Sequence, residues 1–177
     1  LDCGHLLFGE NKVQEASAKW LDLLKIYKDL EIHMVGGLQS NKINEAISIF
    51  TCIHSVDRKK ILEGINKSLS KDSLLKDVFI QINISNESSK GGIGVSEIDS
   101  FLEGSKNYKR INILGLMTMP PPNEEPSVYF ALLNKLAKKN SLKYLSMGMS
   151  NDFETAIALG ATHIRVGEAV MGPRFQI

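Results

Sequence analysis

Cysteine is scarce in this sequence, occurring only as Cys3 and Cys52. The two have no paired spacing, which argues against a disulfide framework or a zinc knuckle and reads as two reduced thiols in the cytoplasm. No apolar run is long enough to span a bilayer, and the start lacks the charged-then-apolar pattern of a secretory leader, so no membrane partner is expected. An excess of charge is also lacking: 21 Lys and Arg oppose 20 Asp and Glu, for a net charge of +1. The basic residues do not cluster with aromatics, so the footprint of a nucleic-acid binder is missing. Linkers, repeats and low-complexity tracts are absent, which predicts one domain over residues 1–177. An initiating Met is missing as well. The chain starts at Leu1, and the expectation is that an N-terminal portion lies upstream of it.

What is present alternates with a regular beat. Leu6–Phe8 precedes an amphipathic stripe through Val13, Ala16, Trp20, Leu24 and Tyr27, and the same strand-then-helix pattern returns along the chain. The predicted pairs are Glu31–Val35 with Asn41–Ile49, Cys52–Val56 with a helix through Ile61, Leu62, Ile65 and Leu69, and Val78–Ser85 with Val95–Leu102. They continue as Asn112–Met119 with Ser127–Lys138 and Tyr144–Ser150 with Phe153–Leu159, and a last strand, His163–Val170, closes the series. Without hairpin signals between them, seven strands and six helices read as βα units on a parallel sheet. A complete (β/α)8 TIM-type barrel takes about 250 residues, or ~30 per unit. The fold class expected is therefore α/β, a (β/α)8 barrel lacking its first β/α unit in this chain, with an open doubly wound sheet as the alternative.

Side-chain parity along the strands points to a polar interior. Gln81, Asn83 and Ser85 alternate with Ile80, Ile82 and Ile84, and Ser146, Gly148 and Ser150 alternate with Leu145, Met147 and Met149. In the last strand Arg165 shares its parity with His163 and Gly167, which aims a guanidinium inward. An unpaired buried cation costs several kcal/mol, so a bound ligand is one candidate partner for Arg165. Asn151 and Glu154 have capping-box spacing, which predicts a helix N-terminus at the strand mouth, where anions bind. Ser150, Gly167 and the N–H of Glu168 form a candidate phosphate cradle, because barrels often bind phosphate with the loops after their last two strands. The plainer alternative is that the glycines serve turns and the serines cap a helix.

Other signals are weaker. Asn11 either reaches a ligand at the barrel mouth or caps the helix that follows. Ser40, Asn41 and Lys42 hold the equivalent place one unit later, and Lys90 lies in the turn-rich loop Asn86–Gly92. His33 and His54 read as lone strand histidines without an acidic or cysteine cluster around them, so no metal is assigned. Met117, Met119, Met147 and Met149 read as barrel packing, and Pro126 marks a helix start.

The segments FGENKVQEA, IHMVGGLQSNKINEA, HSVDR, FIQINIS…SKGGI, ILGLMTMP and LSMGMSNDFETAIALGATHIRVGEAVMG occur in this order. Together they resemble the pyridoxal phosphate homeostasis proteins, a family whose barrel is similar to the N-terminal domain of alanine racemase. The resemblance implies a single-domain protein that binds pyridoxal 5′-phosphate (PLP), acts in vitamin B6 and amino-acid homeostasis, is monomeric when full length and has PLP-accepting apo-enzymes as partners. It implies no strong catalytic turnover, the alternative being a PLP-dependent amino-acid racemase. It places Ser150, Gly167 and Glu168 at the phosphate, Arg165 near the pyridine nitrogen, and Asn11, Ser146 and Met147 along the pocket. Glu168 stands where the family commonly has Thr or Ser, so only its backbone N–H is credited. No catalytic residue is assigned within the chain, because the resemblance puts the Schiff-base lysine at the end of a strand upstream of Leu1.

Overall fold

The structure, a computed structural model, describes residues 1–87 and 90–172. Its elements run in chain order as β1 (Leu7–Glu10), α1 (Val13–Ile26), β2 (Glu31–Met34), α2 (Ile43–Ile47), β3 (Cys52–Val56), α3 (Lys59–Ser68), β4 (Asp77–Asn83) and β5 (Ile93–Gly94). They continue as α4 (Ile98–Ser105), β6 (Asn112–Met117), α5 (Pro126–Lys139), β7 (Tyr144–Met149), α6 (Phe153–Ala158), β8 (His163–Arg165) and α7 (Glu168–Met171). All pairings are parallel, in the order β1-β2-β3-β4-β6-β7-β8, with the two-residue β5 beside β4.

Strand order follows chain order with no reversal, unlike a doubly wound sheet, whose order switches partway. The sheet also curls far enough for its distant strands to touch. His163 on β8 meets Phe79 on β4 at a ring separation of 5.0 Å and His33 on β2 at 6.2 Å. The architecture is thus a nearly closed parallel barrel of seven main strands, and among the described residues no pairing joins β1 to β8.

The period-two pattern builds two cores. Outward-facing Ile32, Ile53, Val78, Ile80, Ile82, Leu116 and Leu145 pack against helix residues such as Ala16, Ile61, Ile65 and Phe130. Inward-facing Cys52, Phe79 and Met117 form a separate cluster inside the barrel. At one edge, Glu10 of β1 is buried and accepts hydrogen bonds from Trp20 Nε1 (2.8 Å) and Lys19 Nζ (2.6 Å) of α1. The exposed lysine adds little. Losing the Trp20 bond would leave a buried N–H unpaired, at a cost of about 1–3 kcal/mol.

Several expected boundaries shift. β4, β6 and β7 stop one or two residues earlier than the hydrophobic pattern suggests, and the expected helix over Asn41–Ile49 divides into a 3-10 turn (Ser40–Lys42) and α2. The largest correction concerns the last strand. It ends at Arg165 rather than Val170, because the chain turns at Gly167 and starts α7 with Glu168. The capping-box reading at Asn151 is also corrected. Asp152 is the N-cap of α6, and its carboxylate accepts instead from the Met149 N–H at 2.6 Å. Pro126 does open α5, with the Glu125 side chain accepting from the Ser127 N–H. Of the Asn86–Gly92 loop, Ser88 and Ser89 lie outside the described residues.

β6 meets β7 at Gly115, where an added Cβ would stand 1.8 Å from the Tyr144 carbonyl oxygen. That neighbour is backbone and has little room to retreat. Gly115→Ala is expected to destabilise the protein by about 3 kcal/mol, the upper part of the range for overpacking. Urea unfolding of the variant beside the parent protein measures this, and equal midpoints would contradict it.

Candidate functional site

The C-terminal ends of β7 and β8 gather the polar residues. The register sets Ser146 opposite His163 and Met149 opposite Arg165, which brings Ser150 beside the end of β8. Arg165 is half-buried and reaches across the barrel mouth. Its Nη1 donates to Ser146 Oγ at 2.8 Å and its Nη2 donates to the Thr118 carbonyl at 3.0 Å. Thr118 is held in turn by its own N–H to the Ser146 carbonyl (3.2 Å) and its hydroxyl to the Ile82 carbonyl (3.1 Å).

Both Arg165 partners are neutral. Among the described residues no carboxylate comes within ion-pair distance of it, and Asp152 acts only at longer range to favour its charge. Burial pulls its pKa down to about 10, which leaves it a cation at neutral pH. A guanidinium has five N–H donors. Two of its nitrogens donate here to protein groups, so donor capacity remains for an acceptor at the mouth.

Behind Arg165 lies a group of histidines. Ser146 is fully buried, and its Oγ sits 2.7 Å from His54 Nδ1; His54 Nε2 sits 3.0 Å from His33 Nδ1. His33 Nε2 is 3.7 Å from the Glu31 carboxylate. The reading of His33 and His54 as lone histidines is therefore corrected: together with Cys52 they form a set whose ligand-type atoms lie within 4.8 Å of one another. Burial pushes the Cys52 thiol well above its ordinary pKa, and both His54 nitrogens are already engaged. The cluster is held by packing and hydrogen bonds. Burial is also the main force lowering the His54 pKa, to about 2, with the charges of His33, Arg165 and His163 adding to it. His33 and His163 are lowered as well, chiefly by burial.

The other expected site residues divide by position. The Ser150 hydroxyl accepts from the Ala169 N–H at 3.3 Å, which ties the end of β7 to α7. Gly167 is exposed, and a Cβ built on it would meet nothing within 4 Å, so space stands in front of this turn. Glu168 opens α7 beside it and is exposed. Met147 departs from the rest: its parity is opposite to that of Ser146, and its side chain is buried in the layer between sheet and helices. Only its backbone can face the pocket. Asn11 follows β1 at the far edge, where its carbonyl would lie 2.2 Å from a Cβ on Gly36. It does not cap α1, whose N-cap is Lys12. Asn11 and Met171 line a cleft of about 500 Å³ with Phe8, Gly9 and Trp20. Lys42 pairs with Glu45 at 3.1 Å, and Lys90 Nζ lies 3.1 Å from Glu87 without hydrogen-bond geometry.

The sequence does not announce the joining of His33 and His54 into one network, or the part of Thr118. Parity was the available signal, since His33, Cys52 and His54 face inward on β2 and β3 just as Gln81 does on β4.

Comparisons with known proteins agree with this architecture. The family described as alanine racemase, N-terminal domain, matches residues 1–174. The pyridoxal phosphate homeostasis protein of Aquifex aeolicus is 38% identical, with the match covering 98% of this chain and 79% of that protein. Its Escherichia coli K12 counterpart is 35% identical, covering 98% and 78%. Among solved structures, PipY of Synechococcus elongatus without PLP superposes with a TM-score of 0.90 at 32% identity, covering 97% of this chain and 84% of PipY. PipY with PLP bound gives 0.84 at 31% over the same shares. Alanine racemase of Corynebacterium glutamicum, at 18% identity and a TM-score of 0.68, covering 94% of this chain and 47% of that one, shares the fold.

The neutral histidines set the acid response. In the unfolded chain a histidine takes up a proton near pH 6.5, whereas folded His54 refuses it down to about pH 2. The stability this confers is complete above pH 6.5 and is lost as pH falls below it, by about 1.4 kcal/mol per pH unit. Urea unfolding at pH 7.5, 6.0 and 5.0 should show a shallower acid loss in His54→Asn than in the parent protein, and parallel curves would refute a neutral His54.

Proposed function

This chain belongs to the family of pyridoxal phosphate homeostasis proteins, and on that premise we propose that it binds PLP at the ends of β7 and β8 and acts in PLP homeostasis. One observation carries the reading. Arg165 is a cation whose hydrogen-bond partners in the fold are neutral, so the mouth of the barrel favours a ligand with a lone pair and negative charge.

The residues present fit that ligand. The open space before Gly167, the Ser150 hydroxyl and the backbone of Glu168 suit the phosphate, since a glycine turn lets backbone N–H groups approach an anion closely. Arg165 suits the pyridine nitrogen, to which it can only donate. On this reading Asn11 and Met147 also line the pocket, Met147 through its backbone because its side chain is buried in the outer layer. When bound, PLP supplies an electron sink for chemistry at amino-acid carbons.

Arg165 works against that chemistry. A guanidinium donating to the ring nitrogen disfavours its protonation and so weakens the sink. This supports a role in holding and delivering PLP, with apo-enzymes that need it as recipients in the cytoplasm, over the racemase alternative. No helix among the described residues is long and apolar enough to cross a membrane.

Equilibrium titration of the purified protein with PLP, and separately with pyridoxal, tests the reading. PLP is expected to bind, and pyridoxal, which lacks the phosphate, to bind at least about tenfold more weakly. Arg165→Ala is expected to weaken PLP binding by about tenfold, the worth of one hydrogen bond to a charged group. Absence of PLP binding by the unsubstituted protein would sink the proposal.

A further inference from the structure

The contacts behind Arg165 form a continuous line down the barrel, from its mouth to Glu31 at the start of β2: Arg165, Ser146, His54, His33, Glu31. Each hydroxyl or imidazole in the line can both donate and accept, so distances alone leave open which way the protons point. The carboxylate and the buried Ser146 proton decide it.

At the mouth, the guanidinium only donates, so Ser146 Oγ must turn a lone pair toward it. At the other end, the Glu31 carboxylate stands 3.7 Å from His33 Nε2, beyond hydrogen-bond distance, and its negative charge favours the His33 N–H on that nitrogen. A neutral imidazole has a single N–H, and His33 Nδ1 is then the acceptor for His54. His54 Nε2 carries the proton and donates to it, His54 Nδ1 is bare, and the Ser146 hydroxyl donates to that nitrogen. The carboxylate favours this direction and the mouth is compatible with it, since a hydroxyl that accepts from Arg165 can still donate to His54. The reverse order would set a lone pair of His33 against a carboxylate and leave the fully buried Ser146 proton without an acceptor among the described residues.

We propose that His33 and His54, oriented by the nearby Glu31 carboxylate, form a one-way hydrogen-bond relay that fixes Ser146 as an acceptor and thereby positions the Arg165 guanidinium at the ligand mouth. His54 and His33 touch no ligand in this arrangement and act through Ser146, which makes them positioning residues. The low pKa of His54 accords with this, because a protonated imidazole would put an N–H against the Ser146 hydroxyl and break the order. Thr118 contributes a second fixed acceptor, its carbonyl, so the relay determines one of the two anchors that orient the planar guanidinium. The role in ligand binding rests on the reading of Arg165 given above, whereas the proton order does not.

The test therefore has two arms. In the first, protein labelled with 15N-histidine and free of ligand is examined by long-range 1H–15N correlation at neutral pH. His33 and His54 are both expected as the Nε2–H tautomer, with Ser146→Ala shifting the Nδ1 resonance of His54. A proton on His54 Nδ1 overturns the relay. In the second arm, PLP affinity is compared for His54→Asn, whose amide oxygen can stand near the Nδ1 position as an acceptor, and His54→Leu, which has none. His54→Leu is expected to weaken binding by about tenfold and His54→Asn to stay within about twofold of the parent. Equal affinities for His54→Leu and the parent overturn the positioning role. Ser146→Ala, which removes the hydroxyl with little change of volume, is expected to match His54→Leu and decides the question if the leucine variant does not fold. Should the parent protein bind no PLP, the functional reading fails, and the tautomers alone decide the relay.

Discussion

A guanidinium enclosed by neutral acceptors is the constraint around which the interior is arranged. Taking a cation out of water is costly unless acceptors are already in place, and the fold supplies them from two strand ends, as the Ser146 hydroxyl and the Thr118 carbonyl. These acceptors are themselves fixed by the sheet, because Thr118 bonds to both β4 and β7. The same cation sets conditions on its neighbours. Burial keeps His54 neutral first, and the like charge of Arg165 opposes its protonation further. The histidines, serine and threonine around Arg165 thus contribute direction rather than net charge.

The fold was legible because its signal is local. A strand buried on one side by helices and on the other by a barrel interior repeats every two residues, and a helix covering it repeats every 3.6. Both periods run through β4 and α1 without interruption, and their alternation gave the parallel barrel. What failed were features with no period to show. β5 has two residues, too few for a pattern. The segment after Arg165 is apolar enough at Val166, Ala169 and Val170 to pass for strand, and only the turn at Gly167 into α7 reveals otherwise. The capping box at Asn151 failed through competition: the Asp152 carboxylate takes the Met149 N–H and settles the turn one residue later.

The candidate site was legible in its proposed phosphate-binding half and hidden in its depth. Gly167 and Glu168 follow Arg165 within three residues, so their juxtaposition comes from a single strand–turn–helix passage, and the pairing of β7 with β8 adds Ser150. His54 and Ser146 stand 92 residues apart, and nothing in a linear reading pairs them. Their shared inward parity narrowed the choice without making the contact. Met147 shows the opposite case, since a resemblance placed it along the pocket while its parity places its side chain in the outer layer.

The two cores of this barrel divide the labour along each strand, and that has a consequence for how the sequence can drift over generations. On β4, Val78, Ile80 and Ile82 belong to the outer aliphatic core, where one aliphatic residue substitutes for another at modest cost. Phe79 and Gln81, between them, answer to an interior of fixed shape, Phe79 against the His54 and His163 rings and Gln81 through its bond to the Gly91 carbonyl. Tolerance to substitution should therefore rise and fall with every residue along the strand. Variation among descendants of this gene would carry the geometry of the sheet as an alternating rhythm of permissive and strict positions.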